Sequence, residues 1–373
     1  MRLVLTGGGT GGHVYPALAL AEAFANEPSF APLAVDFIGS HDGLEARIVP
    51  RAGLPLHAVH AAPLARALGF SFVRTLATNV RGVVDALAIL HRLRPDVLVA
   101  TGGYVALPVV VALRLLRALG RSRARIAVVE PNATAGLTNR LLAPLVDEVW
   151  YALAPTGRAL RSRERVVGVP VRASMRRAMT PGDARAALGL AREGTVVVVM
   201  GGSQGARSIN EAIAGFAEAG VPANTHVLVI AGDRDYATLH ARLAGRAGVS
   251  VLAYLDDPRV AYAAADLVVA RAGASTLGEL AATATPALLV PYPFATADHQ
   301  THNARAFARG GAARLIADFD LDAPRLRAEL TAALAPETLE KMRVAARGAA
   351  ASDPARTIVA RVKAWSSAKP GTP

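Results

Sequence analysis

Short, continuous apolar runs alternate with longer amphipathic segments along most of the chain. The runs are Leu3–Thr6, Val35–Ile38, Val97–Thr101, Ile126–Val129, Val196–Met200, Val227–Ala231, Asp266–Ala270 and Ala287–Pro291. Strands that are covered by helices on both faces have this unbroken hydrophobicity, whereas half-exposed strands alternate. The pattern therefore predicts right-handed crossover units and an α/β doubly wound fold with parallel sheets.

The same arrangement occurs in both halves of the chain. In each half a first strand and a later strand lead into loops of small residues, which are Gly7–His13, Thr101–Gly103, Gly201–Ala206 and Arg271–Thr276. We predict two Rossmann-like domains, residues 1–168 and 169–347, and a C-terminal helix and tail over 348–373 that packs back on the first domain. Ligands of open parallel sheets bind beyond the carboxyl ends of the strands, so the predicted site is a cleft between the domains.

Composition and charge narrow the class of protein. The 373 residues suffice for two domains, and the absence of cysteine excludes disulfides, thiolate metal sites and a cysteine nucleophile. A formal net charge of +12 indicates an anionic partner, although an arginine-rich codon bias explains it equally well. The longest uncharged stretch, Val97–Leu113, is short of the roughly 20 apolar residues of a spanning helix. Because the chain also opens without a signal-peptide pattern, we expect a soluble protein.

The first glycine-rich loop predicts an anion site. Glycine permits close backbone approach, and free amides at the following helix start attract a phosphate or an oxyanion. His13 ends this loop, where a neutral imidazole could accept a proton from an attacking hydroxyl, so it is a candidate general base. A plain strand-to-helix turn remains the alternative. The loop lacks the dinucleotide fingerprint, and Asp36 lies inside the second strand rather than at its end, which argues against NAD.

Three segments of the second half also contain candidate ligand-binding residues. Gly201–Ala206 lacks the Gly-Lys-Ser/Thr ending of a P-loop, which argues against nucleoside triphosphate hydrolysis. Ala272–Thr276 can place a phosphate on a helix start, and Glu279, one turn later, can accept ribose hydroxyls or simply complement the helix dipole. The polar run Asp298–Asn303 suits sugar hydroxyls. We expect no metal site there, and we interpret the acidic strings at 233–235 and 318–320 as solvated loops.

Taken together, these motifs closely resemble the MurG family of peptidoglycan glycosyltransferases, in order and over nearly the whole chain. The segments that carry the resemblance are Gly8–His13, Thr101–Tyr104, Gly136–Asn139, Gly201–Ala206 and Arg271–Thr276. The resemblance implies a GT-B fold and an inverting, metal-independent enzyme without a cofactor. Its expected reaction transfers N-acetylglucosamine (GlcNAc) from UDP-GlcNAc to the 4-hydroxyl of N-acetylmuramic acid (MurNAc) in undecaprenyl-pyrophosphoryl-MurNAc-pentapeptide (lipid I). The product is lipid II.

The resemblance also implies roles for individual residues. Glu279 would hold the ribose, Leu255 the uracil through its backbone, and Gln300 the GlcNAc hydroxyls. The remaining implied donor contacts are Thr10, Gly11, Gly12, Asn132, Arg172, Gly202, Ser203, Ala274, Ser275 and Thr276. The implied acceptor-pyrophosphate contacts are Gly9, Thr10, Gly11, Gly12, His13, Gly102, Gly103 and Tyr104. The chain departs from the family at Val129 and Pro131, where His and Gln are usual, and at Val169, where Asn is usual. Asn132 and Arg172 match the family pattern, and Pro131 is expected to reshape the loop that presents Asn132.

A lipid-linked acceptor requires a membrane-facing surface. Phe70, Phe72, Arg74 and Arg81 form the predicted patch, in which apolar side chains are interleaved with cations that suit anionic headgroups. The alternative is a core helix edge beside solvated arginines. We expect a peripheral protein at the cytoplasmic face of the cell membrane, with UDP-GlcNAc, lipid I, the anionic membrane surface and cell-wall synthesis proteins as partners.

Three rival functions are compatible with parts of the sequence. A UDP-GlcNAc epimerase or another glycolipid transferase would share the fold, but the patch and the loop at Gly7–His13 argue against the epimerase. A nucleotide-dependent oxidoreductase lacks its ribose-binding acid. A nucleic-acid binder is supported by charge alone, since no recognition helix or aromatic platform occurs, so nucleic acid is not an expected partner.

Overall fold

Two compact units divide the chain. A computed structural model describes residues 1–63, 70–156, 164–202 and 205–367. Unit 1 comprises Met1–Ala173 together with the chain from Asp353 onward, and unit 2 comprises Ser174–Ser352. Within the described residues, no helix combines the length and the apolar character that crossing a membrane requires.

The strands pair in parallel within each unit. Those of unit 1 are β1 (Arg2–Thr6), β2 (Ala34–Ser40), β3 (Leu56–Val59), β4 (Val97–Ala100), β5 (Arg125–Glu130), β6 (Glu148–Tyr151) and β7 (Glu164–Val166). Those of unit 2 are β8 (Thr195–Met200), β9 (Thr225–Ile230), β10 (Val249–Leu252), β11 (Leu267–Ala270), β12 (Ala287–Leu289) and β13 (Ala313–Leu315). The predicted α/β fold with parallel sheets is confirmed.

Helices follow the strands and cover the sheets. They are α1 (Gly11–Ala25), α2 (Leu44–Arg51), α3 (Phe70–Leu93), α4 (Ala106–Ala118), α5 (Leu137–Leu142), α6 (Pro181–Ala187), α7 (Arg207–Glu218), α8 (Asp233–Leu243), α9 (Pro258–Ala264), α10 (Ala274–Ala282), α11 (His299–Ala308), α12 (Ala323–Leu334), α13 (Pro336–Ala350) and α14 (Pro354–Ser367). Short 3₁₀ turns occupy Pro28–Phe30, Ala143–Leu145, Ala173–Arg176, Thr296–Asp298 and Asp318–Asp320.

Both sheets have a doubly wound order. In the described part of the chain, the order is β3-β2-β1-β4-β5-β6-β7 in unit 1 and β10-β9-β8-β11-β12-β13 in unit 2. The direction in which successive strands are added across the sheet therefore reverses between β1 and β4 in unit 1 and, equivalently, between β8 and β11 in unit 2. Ligands of doubly wound sheets bind in the crevice at such a switch point. The four small-residue loops follow these four strands directly.

Apolar layers on both faces of each sheet hold these strands in place. In unit 1, Leu98 packs with α3 and α4 on one face, and Leu5 packs with α1 and α14 on the other. Burial of each such side chain contributes about 1.5–3 kcal/mol. α14 is fixed further by Trp365, whose ring stacks 5.4 Å from that of the buried Trp150. The Asp353 carboxylate caps α14 by accepting from the Ala355 amide at 3.1 Å.

Candidate functional site

The start of α1 provides backbone donors at the switch point of unit 1. Thr10 is the N-cap, with extended backbone angles (φ −142°, ψ 158°) and no side-chain capping bond. The amides of Gly11 and Gly12 stand at positions that have no intrahelical acceptor, because an α-helix leaves its first amides unpaired within the helix. Gly9 and Thr10 are exposed. This helix start can therefore bind an anion, as the sequence predicted.

A buried carboxylate that the sequence analysis missed supports the loop. Glu45 is 0% exposed and accepts hydrogen bonds from the amides of Gly9 and Ser40, each at 3.1 Å. A Cβ at Gly8 or Gly43 would lie 2.3 Å from the Glu45 carboxylate. The Glu45 carboxylate therefore leaves no room for a side chain at Gly8 or Gly43, independently of any ligand. A signal for this residue was the acid in the first turn of α2, directly after Gly43.

The loop after β4 packs against the first loop. A Cβ at Gly103 (φ 82°) would lie 2.2 Å from the Gly8 carbonyl oxygen, and one at Gly102 (φ 99°) would lie 2.8 Å from His13 Nδ1. Tyr104 carbon Cε1 would be 2.8 Å from a Cβ at Gly9. The structure therefore brings the residues predicted for the acceptor pyrophosphate together, around the first turn of α1.

The hydrogen bond of His13 fixes its tautomer. Nδ1 lies 2.8 Å from the Thr101 carbonyl oxygen, which can only accept, so Nδ1 carries the proton and donates. In the neutral ring the lone pair then belongs to Nε2. The Thr101 hydroxyl in turn donates to the His13 carbonyl oxygen at 2.7 Å. These two bonds orient an imidazole whose second nitrogen can accept a proton.

Asn132 belongs to a network around a second buried acid. Glu130 is 1% exposed and accepts from the amides of Asn132 at 2.9 Å and Gly136 at 3.0 Å, and from Asn139 Nδ2 at 2.8 Å. Burial raises the pKa of Glu130 above its ordinary value, and these hydrogen bonds oppose the rise. The loop that contains Pro131 is therefore anchored through Glu130, and this anchoring fixes where Asn132 lies.

In unit 2, the start of α10 is the counterpart of the start of α1 in unit 1. Gly273 is the N-cap with extended angles, and Ala274, Ser275 and Thr276 form the first turn. Within the described residues, the buried Ser275 Oγ has no hydrogen-bond partner. Because a buried hydroxyl without a partner costs about 1–3 kcal/mol, this atom indicates a ligand that supplies the bond. Its position beside the helix amides suits a phosphate oxygen.

A buried tyrosine orients Glu279 in the second turn of α10. The Tyr262 hydroxyl donates to Glu279 Oε2 at 2.8 Å. Burial, followed by the charge and hydrogen bond of Glu279, raises the pKa of Tyr262 well above its ordinary value, so this phenol remains a donor. One carboxylate oxygen is thereby held in place. Tyr262 had no assigned role from sequence, because its contact partner lies 17 residues away in another helix.

Gln300 and Arg271 organise the loops at the carboxyl edge of unit 2. Gln300 Oε1 accepts from the amides of Ala272 at 3.1 Å and Tyr292 at 3.0 Å, so its NH₂ group is the part that can donate to a ligand. Arg271 donates to the Val290 carbonyl oxygen at 3.2 Å, and it also bonds Asp318. Beside Gln300, burial lowers the pKa of His299 below its ordinary value, with Asp298 opposing, which favours the neutral ring.

The interpretation of the acidic strings as solvated loops is wrong for two of their residues. The Asp318 side chain is 16% exposed because it pairs with Arg271. Asp235 lies in the first turn of α8, where it accepts from Asn210 Nδ2 at 3.0 Å. Short acidic strings do not reveal from sequence which buried donors the fold brings to them.

The remaining predicted residues lie in three places. Leu255 is half-buried in the loop between β10 and α9, and Gly202 is exposed at the end of β8 with φ 88°. Arg172 belongs to unit 1, where its guanidinium lies 5.8 Å from the centre of the Tyr15 ring. Ser203 lies outside the described residues.

The exposed apolar side chains of α3 extend beyond the predicted patch. The side chain of Phe70 lies outside the described part, Phe72 is half-buried, and Arg74 and Arg81 are exposed. An apolar stripe lies along α3, at a spacing that places its members on one helix face. It consists of Val73, Leu76, Val80 and Val84, which are 51–62% exposed. We call these four residues the α3 stripe.

Comparisons with known proteins cover both units. The glycosyltransferase family 28 N-terminal domain matches residues 3–151, and the family 28 C-terminal domain matches residues 196–361. A UDP-N-acetylglucosamine–N-acetylmuramyl-(pentapeptide) pyrophosphoryl-undecaprenol N-acetylglucosamine transferase of Salinibacter ruber is 41% identical over 372 residues, covering 97% of this chain and 96% of the relative. The enzyme of the same name from Halothermothrix orenii is 38% identical, with coverage of 87% and 88%.

Solved structures show the same likeness. The crystal structure of Acinetobacter baumannii MurG matches with a TM-score of 0.78 at 27% identity, covering 97% of this chain and 99% of that one. A UDP-GlcNAc 2-epimerase from Neisseria meningitidis bound to UDP-GlcNAc matches with a TM-score of 0.68, but at 10% identity, over 98% of this chain and 100% of that one. The epimerase therefore shows the fold alone.

Proposed function

Because the chain belongs to glycosyltransferase family 28 and to its MurG members, we propose that it transfers GlcNAc from UDP-GlcNAc to the MurNAc 4-hydroxyl of lipid I, forming lipid II for peptidoglycan synthesis. The observation that carries this proposal is the 41% identity to a transferase of that name over 97% of the chain. The geometry of the two switch points supports it, since one suits a pyrophosphate and the other a nucleotide.

Unit 2 binds the donor. Glu279 accepts the ribose hydroxyls with the carboxylate that Tyr262 orients, and the backbone of Leu255 meets the uracil. The start of α10 takes the diphosphate, where Ser275 Oγ supplies a hydroxyl and Ala274 and Thr276 flank it. The charge that develops on departing UDP is stabilised by these fixed dipoles without reorganisation.

Residues that contact the sugar, and the loop that follows β8, complete the donor site. Gln300 donates its NH₂ group to the GlcNAc hydroxyls, since its oxygen is held by the loop amides. Gly202 and Ser203 border the diphosphate after β8. Asn132 and Arg172, both in unit 1, are further proposed contacts of the donor. A hydrogen-bond donor that is fixed by its neighbours discriminates between sugars better than a mobile one.

Unit 1 binds the acceptor. The amides of Gly11 and Gly12, with Gly9, Thr10, Gly102, Gly103 and Tyr104 around them, hold the pyrophosphate of lipid I. His13 Nε2 removes the proton of the MurNAc 4-hydroxyl as this oxygen attacks the anomeric carbon of GlcNAc. The bond from that carbon to the UDP oxygen breaks, and the configuration inverts. Nδ1 continues to donate to Thr101, which stabilises the imidazolium that forms.

The α3 stripe supports the proposal that unit 1 attaches to a membrane surface. Two further apolar side chains are exposed on the neighbouring helix α4, which packs on α3: Leu115, within the helix, and Leu119, its C-cap. The exposed cations beside them are Arg74, Arg81, Arg114 and Arg121. Apolar side chains flanked by arginine suit insertion among anionic headgroups, and a lipid-linked acceptor requires an enzyme at a membrane. The proposed location is therefore peripheral, at the cytoplasmic face of the cell membrane.

A transfer assay tests the proposed function. Purified protein is incubated with UDP-GlcNAc that is radiolabelled in the sugar, a short-chain lipid I analogue, and EDTA. We expect a labelled disaccharide-lipid product, and none when the acceptor is omitted. Absence of product while UDP-GlcNAc still binds would overturn the acceptor assignment, and interconversion of the sugar alone would favour an epimerase.

A further inference from the structure

A cavity of about 370 Å³ opens at the amino edge of the unit 2 sheet. Its walls come from the segment before α6, from α9, from the turn between α10 and β12, and from α13. Ala265 and Pro286 in these walls directly precede the β11 and β12 segments. The cavity therefore lies at the strand ends opposite to those that hold Ser275 and Gln300. Tyr262 belongs to its lining, and the hydroxyl of this residue donates to Glu279 of the candidate donor site.

The lining of this cavity is strongly basic. It contains five arginines and, among the described residues, no aspartate or glutamate: the arginines are Arg176, Arg177, Arg259, Arg343 and Arg347. Asp257, Asp266 and Glu340 pair with three of them from outside the lining. Asp266 is also shared with Arg185, at 2.8 Å. Positive charge therefore exceeds negative charge around the cavity.

One N–H donor of Arg259, at Nε, has no acceptor among the described residues. Its NH2 group donates to Asp257 Oδ2 at 3.0 Å, while its buried Nε has no hydrogen-bond partner among the described residues. A buried charged group that lacks an acceptor is costly, and an anion oxygen would remove the cost. Arg176 donates to the carbonyl oxygens of Ala350 and Ser352, and these bonds hold its guanidinium in the cavity wall.

We propose that this cavity binds a phosphate-bearing anion with at least two negative charges. The planar guanidinium donates two parallel hydrogen bonds to phosphate oxygens, and several guanidiniums around one cavity favour a multiply charged ligand. The volume lies at the lower end of the ~300–1,000 Å³ of small-ligand pockets. Met175, Met179 and several alanines line much of the rest, and Thr283 and Thr285 add hydroxyl groups, so the arginines are the charged groups that select an anion.

Pyrophosphate is the probe that tests the site. Its binding is measured by isothermal titration calorimetry with UDP in excess, because under the proposed function UDP occupies the diphosphate site at the start of α10. Pyrophosphate that binds at the start of α1 contributes equally to the parent, the test variant and the control, so only the difference between them reports on the cavity. The test variant combines Arg177→Ala and Arg347→Ala, and the matched control combines Arg246→Ala and Arg309→Ala, two exposed arginines of unit 2 outside the cavity. We expect the test variant to bind roughly tenfold more weakly or worse, since a hydrogen bond to a charged group is worth about 1.5–3 kcal/mol. The control should match the parent.

Vesicles that contain phosphatidylglycerol distinguish a lipid headgroup from a soluble anion as the source. Vesicle recruitment that falls in the test variant, without soluble pyrophosphate binding, would assign the site to a headgroup phosphate. The proposal is overturned if neither ligand distinguishes test variant from control while both keep the parent's unfolding temperature. Loss of all pyrophosphate binding in excess UDP would also overturn it. A chain that fails to bind UDP but keeps the variant-dependent pyrophosphate binding would contradict the proposed function alone.

Discussion

The starts of α1 and α10 have the same backbone arrangement but carry different side chains. Each follows a strand at a topological switch point, and each begins at an extended N-cap without a side-chain capping bond. In α1 the first turn is Gly11, Gly12 and His13, which offers amides and one imidazole. In α10 it is Ala274, Ser275 and Thr276, with Glu279 in the next turn. Under the proposed function the same kind of helix end binds a phosphate in two settings, and the side chains decide which chemistry surrounds it.

The supports beneath the two helix starts differ as well. The first loop rests on a buried carboxylate, Glu45, and on close contacts between backbone atoms. The second rests on the long side chains of Arg271 and Gln300, which reach across from neighbouring loops. Backbone contacts tolerate no added atoms, whereas side chains can adjust. The start of α1 should therefore be more sensitive to added volume than the start of α10, where a Cβ at Gly273 would lie 3.9 Å from its nearest neighbour, the Thr276 hydroxyl.

Gly103→Ala should cause the largest change in stability at the start of α1. Its new Cβ would lie 2.2 Å from the Gly8 carbonyl oxygen at φ 82°, so we expect unit 1 to lose about 3 kcal/mol or more of unfolding free energy. Gly53→Ala is the control, because φ is 76° there but no described atom lies within 4 Å of the added Cβ. It should cost only about 1–2 kcal/mol. Equal losses in chemical denaturation would contradict the packing argument.

Glu279→Gln should weaken UDP binding without changing the fold. The amide keeps the size of the side chain but removes the charge, which is worth about 1.5–3 kcal/mol in a hydrogen bond, or roughly 10- to 150-fold in Kd. Tyr262→Phe should cost less, because it removes only the bond that orients the carboxylate. Glu193→Gln, an exposed change in unit 2, serves as the control for calorimetric measurement of UDP binding. An unchanged Kd in Glu279→Gln would remove the ribose assignment.

Leu76→Ser combined with Val80→Ser should release unit 1 from membranes. Both side chains lie in the α3 stripe, and removing their apolar area should lower the partition onto anionic vesicles by about tenfold. Val344→Ser is the control, since Val344 is 57% exposed on α13 of unit 2. Vesicle cosedimentation measures the effect. A similar loss in the control would show that binding is not specific to the stripe.

The smallest expected effect concerns pH and unit 2. Burial lowers the pKa of His226 and His299 below the ordinary value. A histidine whose folded-state pKa is depressed contributes stability above its unfolded-state pKa, and this contribution is lost as the pH falls through the folded-state pKa. Unit 2 should lose stability on acidification below neutrality, and His226→Gln should lose less. Thermal unfolding across this pH range measures the slope; parallel slopes would contradict the burial argument.

The fold could be predicted from sequence because buried parallel strands are uniformly apolar. All eight apolar runs correspond to strands at the centre of the two sheets. The strands that the analysis missed are β3, β6, β7, β10 and β13, which lie toward the sheet edges. β6 includes the buried Glu148, which pairs with Arg361, and β10 is only half-buried along its length. Edge strands and strands with buried charges lack the continuous apolar signal.

The candidate site could be predicted only in part, for a related reason. His13, Ser275, Glu279 and Gln300 were visible from sequence because each stands beside a glycine-rich or small-residue loop, or in a polar run after a strand. Their partners were not, because they come from distant segments: Thr101 lies 88 residues from His13. Sequence spacing indicates what a loop can bind, but tertiary packing decides which side chains hold it in place.

The central claim is that His13 in unit 1 removes the proton while unit 2 binds the donor. The most direct test measures kcat of GlcNAc transfer and Kd of UDP for His13→Ala, with His91→Ala, an exposed change at the end of α3, as the control. A positioned general base contributes about 10²–10⁴-fold, so kcat should fall by that factor while Kd stays at the parent value. Turnover near the parent rate in His13→Ala would contradict the account.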